Sequence, residues 1–187
     1  MNRFRLLILT GAHFCVDSYA TMLVPALPFL SEQMGFGLAF SGVLATVPSV
    51  CNVSQPLLGL WADRMARRYL IVAGLLLAAV FMPLIGIATS YVTLVVLLCL
   101  GASGVAAFHP QSFAVAGALS GNRRSFGIAI YVFGGTLALG ATPIWVSWFG
   151  SGPGMQYLPL ATIPGLILLL AMVKVVPFDN PQVAESS

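Results

Sequence analysis

His13 and Asp17 stand four residues apart inside the apolar stretch GAHFCVDSYATMLVPALPFL, residues 11–30. Along a helix that spacing turns through about 400°, so the imidazole and the carboxylate share one face, one turn apart. Ionisable groups are costly in hydrocarbon, and a pair of this kind faces a bundle interior or a water-filled cavity. The chemistry open to it is proton exchange: Asp17 is neutral when unpaired and ionised once His13 has taken a proton. The plainer alternative is a buried, mutually satisfied pair with no further role.

His109 is the next candidate, next to Pro110 in GASGVAAFHPQSFAVAG, residues 101–117. Gln111 lies about 200° round the helix from it, so a regular helix cannot aim both at one cavity. The expectation is His109 towards the cavity and Gln111 between helices, with Pro110 able to loosen that geometry. Alternatively, His109 satisfies a carbonyl freed by the proline. Ser41, Pro48, Asn52, Gln55 and Gly59 fall within about 40° of one another at helical spacing. Tyr131, Gly135, Ala138, Thr142 and Trp145 share a face in the same way. Asn and Gln inside membranes also bind helices to one another. For Asn52 and Gln55, both packing and substrate contact stand open.

A nucleophilic reading of Ser103 in GASG would need a histidine base within reach, as in an intramembrane serine protease of the rhomboid type. His109 is six residues and about 120° away on the same helix, and the last apolar segment, Tyr157 to Val176, contains no histidine. The residues therefore do not point to an enzyme. Cys15, Cys51 and Cys99 lie in apolar stretches without a CxxC spacing, as packing residues do. No metal cluster or phosphate loop is evident, so no cofactor is expected.

The elements that must position these groups follow from composition. The chain is 59% hydrophobic and 7% charged, with a mean hydropathy of +0.98. A soluble domain carries roughly 25% charged residues, so this is an all-α integral membrane protein. Six apolar segments of spanning length run approximately 6–30, 38–60, 69–88, 91–118, 125–148 and 157–176. The basic start MNRFRLL leads into an apolar run that continues to Leu30, which makes it a first span and not a removed signal. Residues 1–176 form the bundle and 177–187 a polar tail or linker.

All eight basic residues fall on one side of these segments: Arg3, Arg5, Arg64, Arg67, Arg68, Arg123, Arg124 and Lys174. The opposite connections carry only Glu32. By the positive-inside rule both termini are cytoplasmic, and the arginines orient helices and do not bind nucleic acid.

The connection GLWADRMARR, residues 59–68, resembles the cytoplasmic signature of the major facilitator superfamily, with Gly59, Asp63, Arg64, Arg67 and Arg68 matching. Trp61 and Ala66 depart from it. His13, Asp17 and Tyr19 followed by PALP, then Phe108, His109 and Pro110, and Gly134 with Gly135, are similar to the fosmidomycin-resistance branch of that superfamily. That branch continues with a glutamate and, three residues later, an arginine, where this chain has Gln111 and Ala114. Its Gly-Pro in the fifth span is Thr142-Pro143 here.

The resemblance implies export of a small drug-like or metabolite molecule in exchange for protons, in a bacterial plasma membrane. His13, Asp17, Asn52, Gln55, His109, Gln111 and Tyr131 would belong to the cavity. The 59–68 motif would act where two halves meet and stabilise the outward-open state. A full transporter of this kind has twelve helices in two halves, each a pair of inverted three-helix repeats. Six helices amount to the N-terminal half. The expected partner is a second six-helix half, separately encoded in preference to a second copy of this chain. The tail could equally be a central linker. A membrane half that regulates a partner without transporting is the alternative function.

Overall fold

The computed structural model of the chain describes residues 1–53, 55–56, 60, 67–176 and 178, with Arg67 by its backbone alone. Among these residues the secondary structure is entirely helical. The elements are α1 (Arg3–Thr21), α2 (Leu23–Met34), α3 (Leu38–Asn52), α4 (Arg67–Phe81), α5 (Tyr91–Ser120), α6 (Arg124–Ser151) and α7 (Thr162–Val175). Short 3-10 turns at Pro83–Ile87, Gly121–Arg123 and Met155–Ala161 join several of them. The tail beyond Val176 lies outside the described residues apart from Phe178, which is buried.

The first apolar segment, expected as a single span, bends by 40° between α1 and α2. Pro25 explains the break. It has no N–H to give the carbonyl of Thr21, so the ladder of α1 stops there. Restarting at Leu23 puts Pro25 in a first turn, where N–H groups lack intrahelical partners anyway.

The run Tyr91–Ser151 is 61 residues long and would reach about 90 Å if straight. Gly121, with φ of 52°, reverses it, and α6 returns along α5. Helix α3 has 15 residues, and helical backbone at 55, 56 and 60 prolongs it. The described residues thus form six helical segments, of which α1–α2, α4 with its 3-10 extension, α5, α6, and α7 with its leading turn are long and apolar enough to span, and α3 is a shorter apolar helix.

Two hydrogen bonds fix the ends of the bundle. The Asn2 N–H donates to the Leu119 carbonyl at 2.9 Å, and the Tyr91 hydroxyl donates to the Met34 carbonyl at 3.2 Å. With this up-and-down order, Arg3, Arg5, Arg68, Arg123, Arg124 and Lys174 gather at one end and Glu32 at the other.

Helix α1 is the central element. It buries Leu6, Leu9, Ala12, Val16 and Tyr19, packed against α6, α5 and α7. Helices α4 and α5 meet backbone to backbone. A Cβ on Gly104 would lie 2.6 Å from the Gly74 carbonyl oxygen, and one on Gly74 would lie 2.7 Å from that of Gly104. Hydrocarbon solvent gives helices no hydrophobic reason to associate, so close approach through small residues supplies the attraction. Val92, Ile144, Ile167 and Leu170 form part of an exposed apolar exterior, as a surface in contact with lipid requires.

Candidate functional site

The site forms where α1 crosses α5 and α6. One turn of α1 carries both His13 and Asp17, whose Nε2 and Oδ2 are 3.2 Å apart. From α5, His109 places its Nε2 2.8 Å from the other carboxylate oxygen, Oδ1 of Asp17. One carboxylate is therefore held between two imidazoles. The sequence put His13 with Asp17. It did not join His109 to them, because that contact bridges 92 positions of chain.

Backbone carbonyls hold both rings from behind. His13 Nδ1 lies 2.9 Å from the Tyr131 carbonyl, and His109 Nδ1 lies 2.8 Å from the Val105 carbonyl. A carbonyl only accepts, so each Nδ1 carries a proton and each Nε2 faces the carboxylate. Pro110 frees the carbonyl of Ala106, not that of Val105, so relief of the proline kink does not account for the orientation of His109.

Neighbouring groups constrain the cluster further. The His13 ring stacks on Tyr131 with centroids 4.1 Å apart and planes 4° from parallel. The Tyr131 hydroxyl pairs with Ser112 Oγ at 2.6 Å, a contact that sequence reasoning missed. Gly135 is the back wall: a Cβ there would collide with Asp17 Oδ2 and come within 2.7 Å of His13 Cε1. The Gly134–Gly135 pair was the available signal, since only a missing side chain lets α6 come this close to a carboxylate. Gly135→Ala is expected to disrupt the cluster and sharply reduce function. Gly140→Ala, on the same helix with open space around it, should change little. Equal activity of the two variants, measured at matched membrane levels, would count against the arrangement.

The cluster lines a cavity of about 340 Å³ walled by His13, Gln55, His109, Pro110, Phe113 and Tyr131. Asn52, predicted as a cavity residue, does not line it. Its Oδ1 accepts from Gln55 Nε2 at 3.2 Å, so it holds Gln55 in place. Gln111, also predicted for the cavity, is buried and is not part of this wall, consistent with its position about 200° round α5 from His109. Phe113 was not singled out in the sequence and now forms part of the wall. Within the loop motif, Gly59, Asp63 and Arg64 lie outside the described residues. Arg67 opens α4 and Arg68 is exposed. Ser103 is exposed, and both ring nitrogens of His109 are engaged by Val105 and Asp17, not by Ser103.

Ligand atoms of His13, Asp17 and His109 lie within 4.8 Å of one another, a spacing that a single metal ion could also bridge. Two ligands of a tetrahedral zinc stand about 3.3 Å apart, given bonds near 2.0 Å. The 2.8 Å contact between His109 and Asp17 is within hydrogen-bonding distance.

The sequence profile of the Major Facilitator Superfamily matches residues 9–187. Among curated proteins, the uncharacterized MFS-type transporter YfnC of Bacillus subtilis (strain 168) is 27% identical over 143 residues, covering 75% of this chain and 35% of that protein. The fosmidomycin resistance protein of Escherichia coli (strain K12) is 22% identical over 163 residues, covering 84% of this chain and 40% of that protein. The chain thus spans 35% to 40% of the length of these two relatives. Among solved structures, a mutant of the peptide transporter POT in complex with sulfate superposes with a TM-score of 0.76 at 20% identity, over 90% of this chain and 37% of that one. The same transporter in complex with alafosfalin gives 0.70 at 18% identity, over 92% and 38%.

Proposed function

We propose, for a chain that belongs to the Major Facilitator Superfamily, that its six helices act as the N-terminal half of a proton-coupled exporter of small drug-like or metabolite molecules. It would work by alternating access against a second six-helix half. The observation that carries this reading is the Asp17 carboxylate clamped between two imidazoles at a cavity wall. With both Nδ1 atoms protonated, full deprotonation of the cluster would set two nitrogen lone pairs against a carboxylate. Protons on the rings or on the carboxyl turn those contacts into attraction. The cluster thus closes when loaded with protons and loosens when they leave. That is a two-state element which a proton gradient can bias.

The basic end of the bundle is the cytoplasmic one in this reading, and the membrane is the bacterial plasma membrane. The cavity is where the substrate sits, with Gln55 and Tyr131 beside the titrating groups. Fosmidomycin, named for one relative, is the first compound to try. In liposomes holding the chain together with its second half, an imposed pH gradient is expected to drive fosmidomycin movement and to be dissipated by it. A gradient that neither drives transport nor collapses faster with the drug present would instead favour a non-transporting, regulatory membrane half.

A further inference from the structure

Behind α1, away from the proton cluster, lies a second cavity of about 360 Å³ between α1, α6 and α7. Phe14, Cys15, Ser18 and Tyr19 contribute its α1 wall, and Trp145 and Phe149 face them from α6. At helical spacing these α1 residues centre on a direction roughly 170° from His13, so one helix separates the two cavities. The walls are almost wholly apolar, with one exception. Ser18 lines the cavity, is only 4% exposed, and its hydroxyl has no hydrogen-bond partner. The neighbouring Tyr19 hydroxyl is already satisfied by the Ala161 carbonyl at 2.7 Å.

We infer that this cavity binds a small amphiphile: a hydrocarbon body of about eight carbons carrying a single hydroxyl or carbonyl, which pairs with Ser18. Apolar walls exclude charged molecules, because nothing there would compensate a buried charge. The volume falls at the small end of the usual range for ligand pockets, roughly 300–1,000 Å³. A buried hydroxyl without a partner favours a ligand that supplies one. Depth argues against a phospholipid ester as that partner. Ser18 lies midway along the α1–α2 segment, about 15 Å from either headgroup level in a hydrocarbon core about 30 Å thick. A mobile amphiphile dissolved in the membrane can reach that depth with its polar atom. An ester fixed at the interface cannot.

Trp145 provides the readout. With Trp61 and Trp148 replaced by Phe in the full chain, reconstituted in vesicles, its fluorescence reports occupancy by a brominated quencher. Saturable quenching by 8-bromo-1-octanol is expected, reversed by unlabelled 1-octanol. Ser18→Ala should weaken it about two- to tenfold, while 1-bromooctane, which lacks the hydroxyl, should bind equally to both proteins. Ala161→Leu, which narrows the cavity, should weaken both probes. Three results would overturn the inference: linear, unsaturable quenching; equal affinity for the alcohol and the bromoalkane in the unsubstituted cavity; or strong quenching by mid-chain brominated phospholipid that octanol does not displace. If Ser18→Ala does not accumulate, the alcohol–bromoalkane comparison on the unsubstituted cavity still decides.

Discussion

Asp17→Asn is expected to reduce proton-driven transport to background while leaving the chain in the membrane at normal levels. With both Nδ1 atoms protonated, the amide N–H can donate to one Nε2 without any added proton, while the amide oxygen pairs with the other ring only once that ring is protonated, so one of the two contacts at Asp17 has a neutral substitute. Thermal stability in detergent should shift by about 1 kcal/mol, the scale of one lost hydrogen bond. The gradient loses its hold because the amide can neither take up nor release a proton, and one of its two contacts forms without one. Exchange of substrate without net proton movement should survive. Unchanged pH dependence of transport in this variant would remove the assignment, and loss of exchange along with coupled transport would move Asp17 to substrate binding.

The second large effect concerns the chain on its own. Without a second half, the purified chain is expected to show no transport in liposomes. The cavity wall carrying His13, Gln55 and His109 would lie open with nothing opposite it. Alternating access in this superfamily rocks one six-helix bundle against another around a midplane site. A polar face left against lipid costs several kcal/mol for unsatisfied groups, which is why the proposal gives it a second bundle as cover. Crosslinking and native mass measurement in detergent, paired with fosmidomycin flux with and without a C-terminal half, provide the check. A six-helix monomer that moves substrate by itself would overturn the proposal.

The six segments were legible because the bilayer sets a length, and about 20 apolar residues satisfy it whatever the tertiary packing. The same logic hid the bend at Met22: apolarity continues through the break, and only Pro25 marks it. His13 and Asp17 were legible as a pair because helical spacing is local. His109 was legible as a candidate but not as their partner. Joining it to Asp17 requires knowing that α1 and α5 cross at that level, and no periodicity within either helix encodes the crossing. Asn52 and Gln55 share a stripe, yet only Gln55 reaches the cavity, because an interhelical face and a cavity face look alike in a one-dimensional pattern. Ser18 gave no signal at all, since a serine in a membrane helix normally returns its hydroxyl to the preceding turn.

Both imidazoles are pinned through Nδ1 to carbonyls of a helix backbone, Tyr131 for His13 and Val105 for His109. A ring held this way keeps Nε2 towards Asp17, so in the proposed proton-coupled cycle a proton taken up at Nε2 leaves from Nε2. In that cycle the histidines act as fixed docks, not as ferries that pick up on one side and swing to discharge on the other. Directionality in the proposed cycle would then come from the surroundings: water from one compartment would be brought to the dock and then cut off as the other is admitted. A mutation that freed a ring from its carbonyl would leave every titrating group in place and still let protons slip across uncoupled.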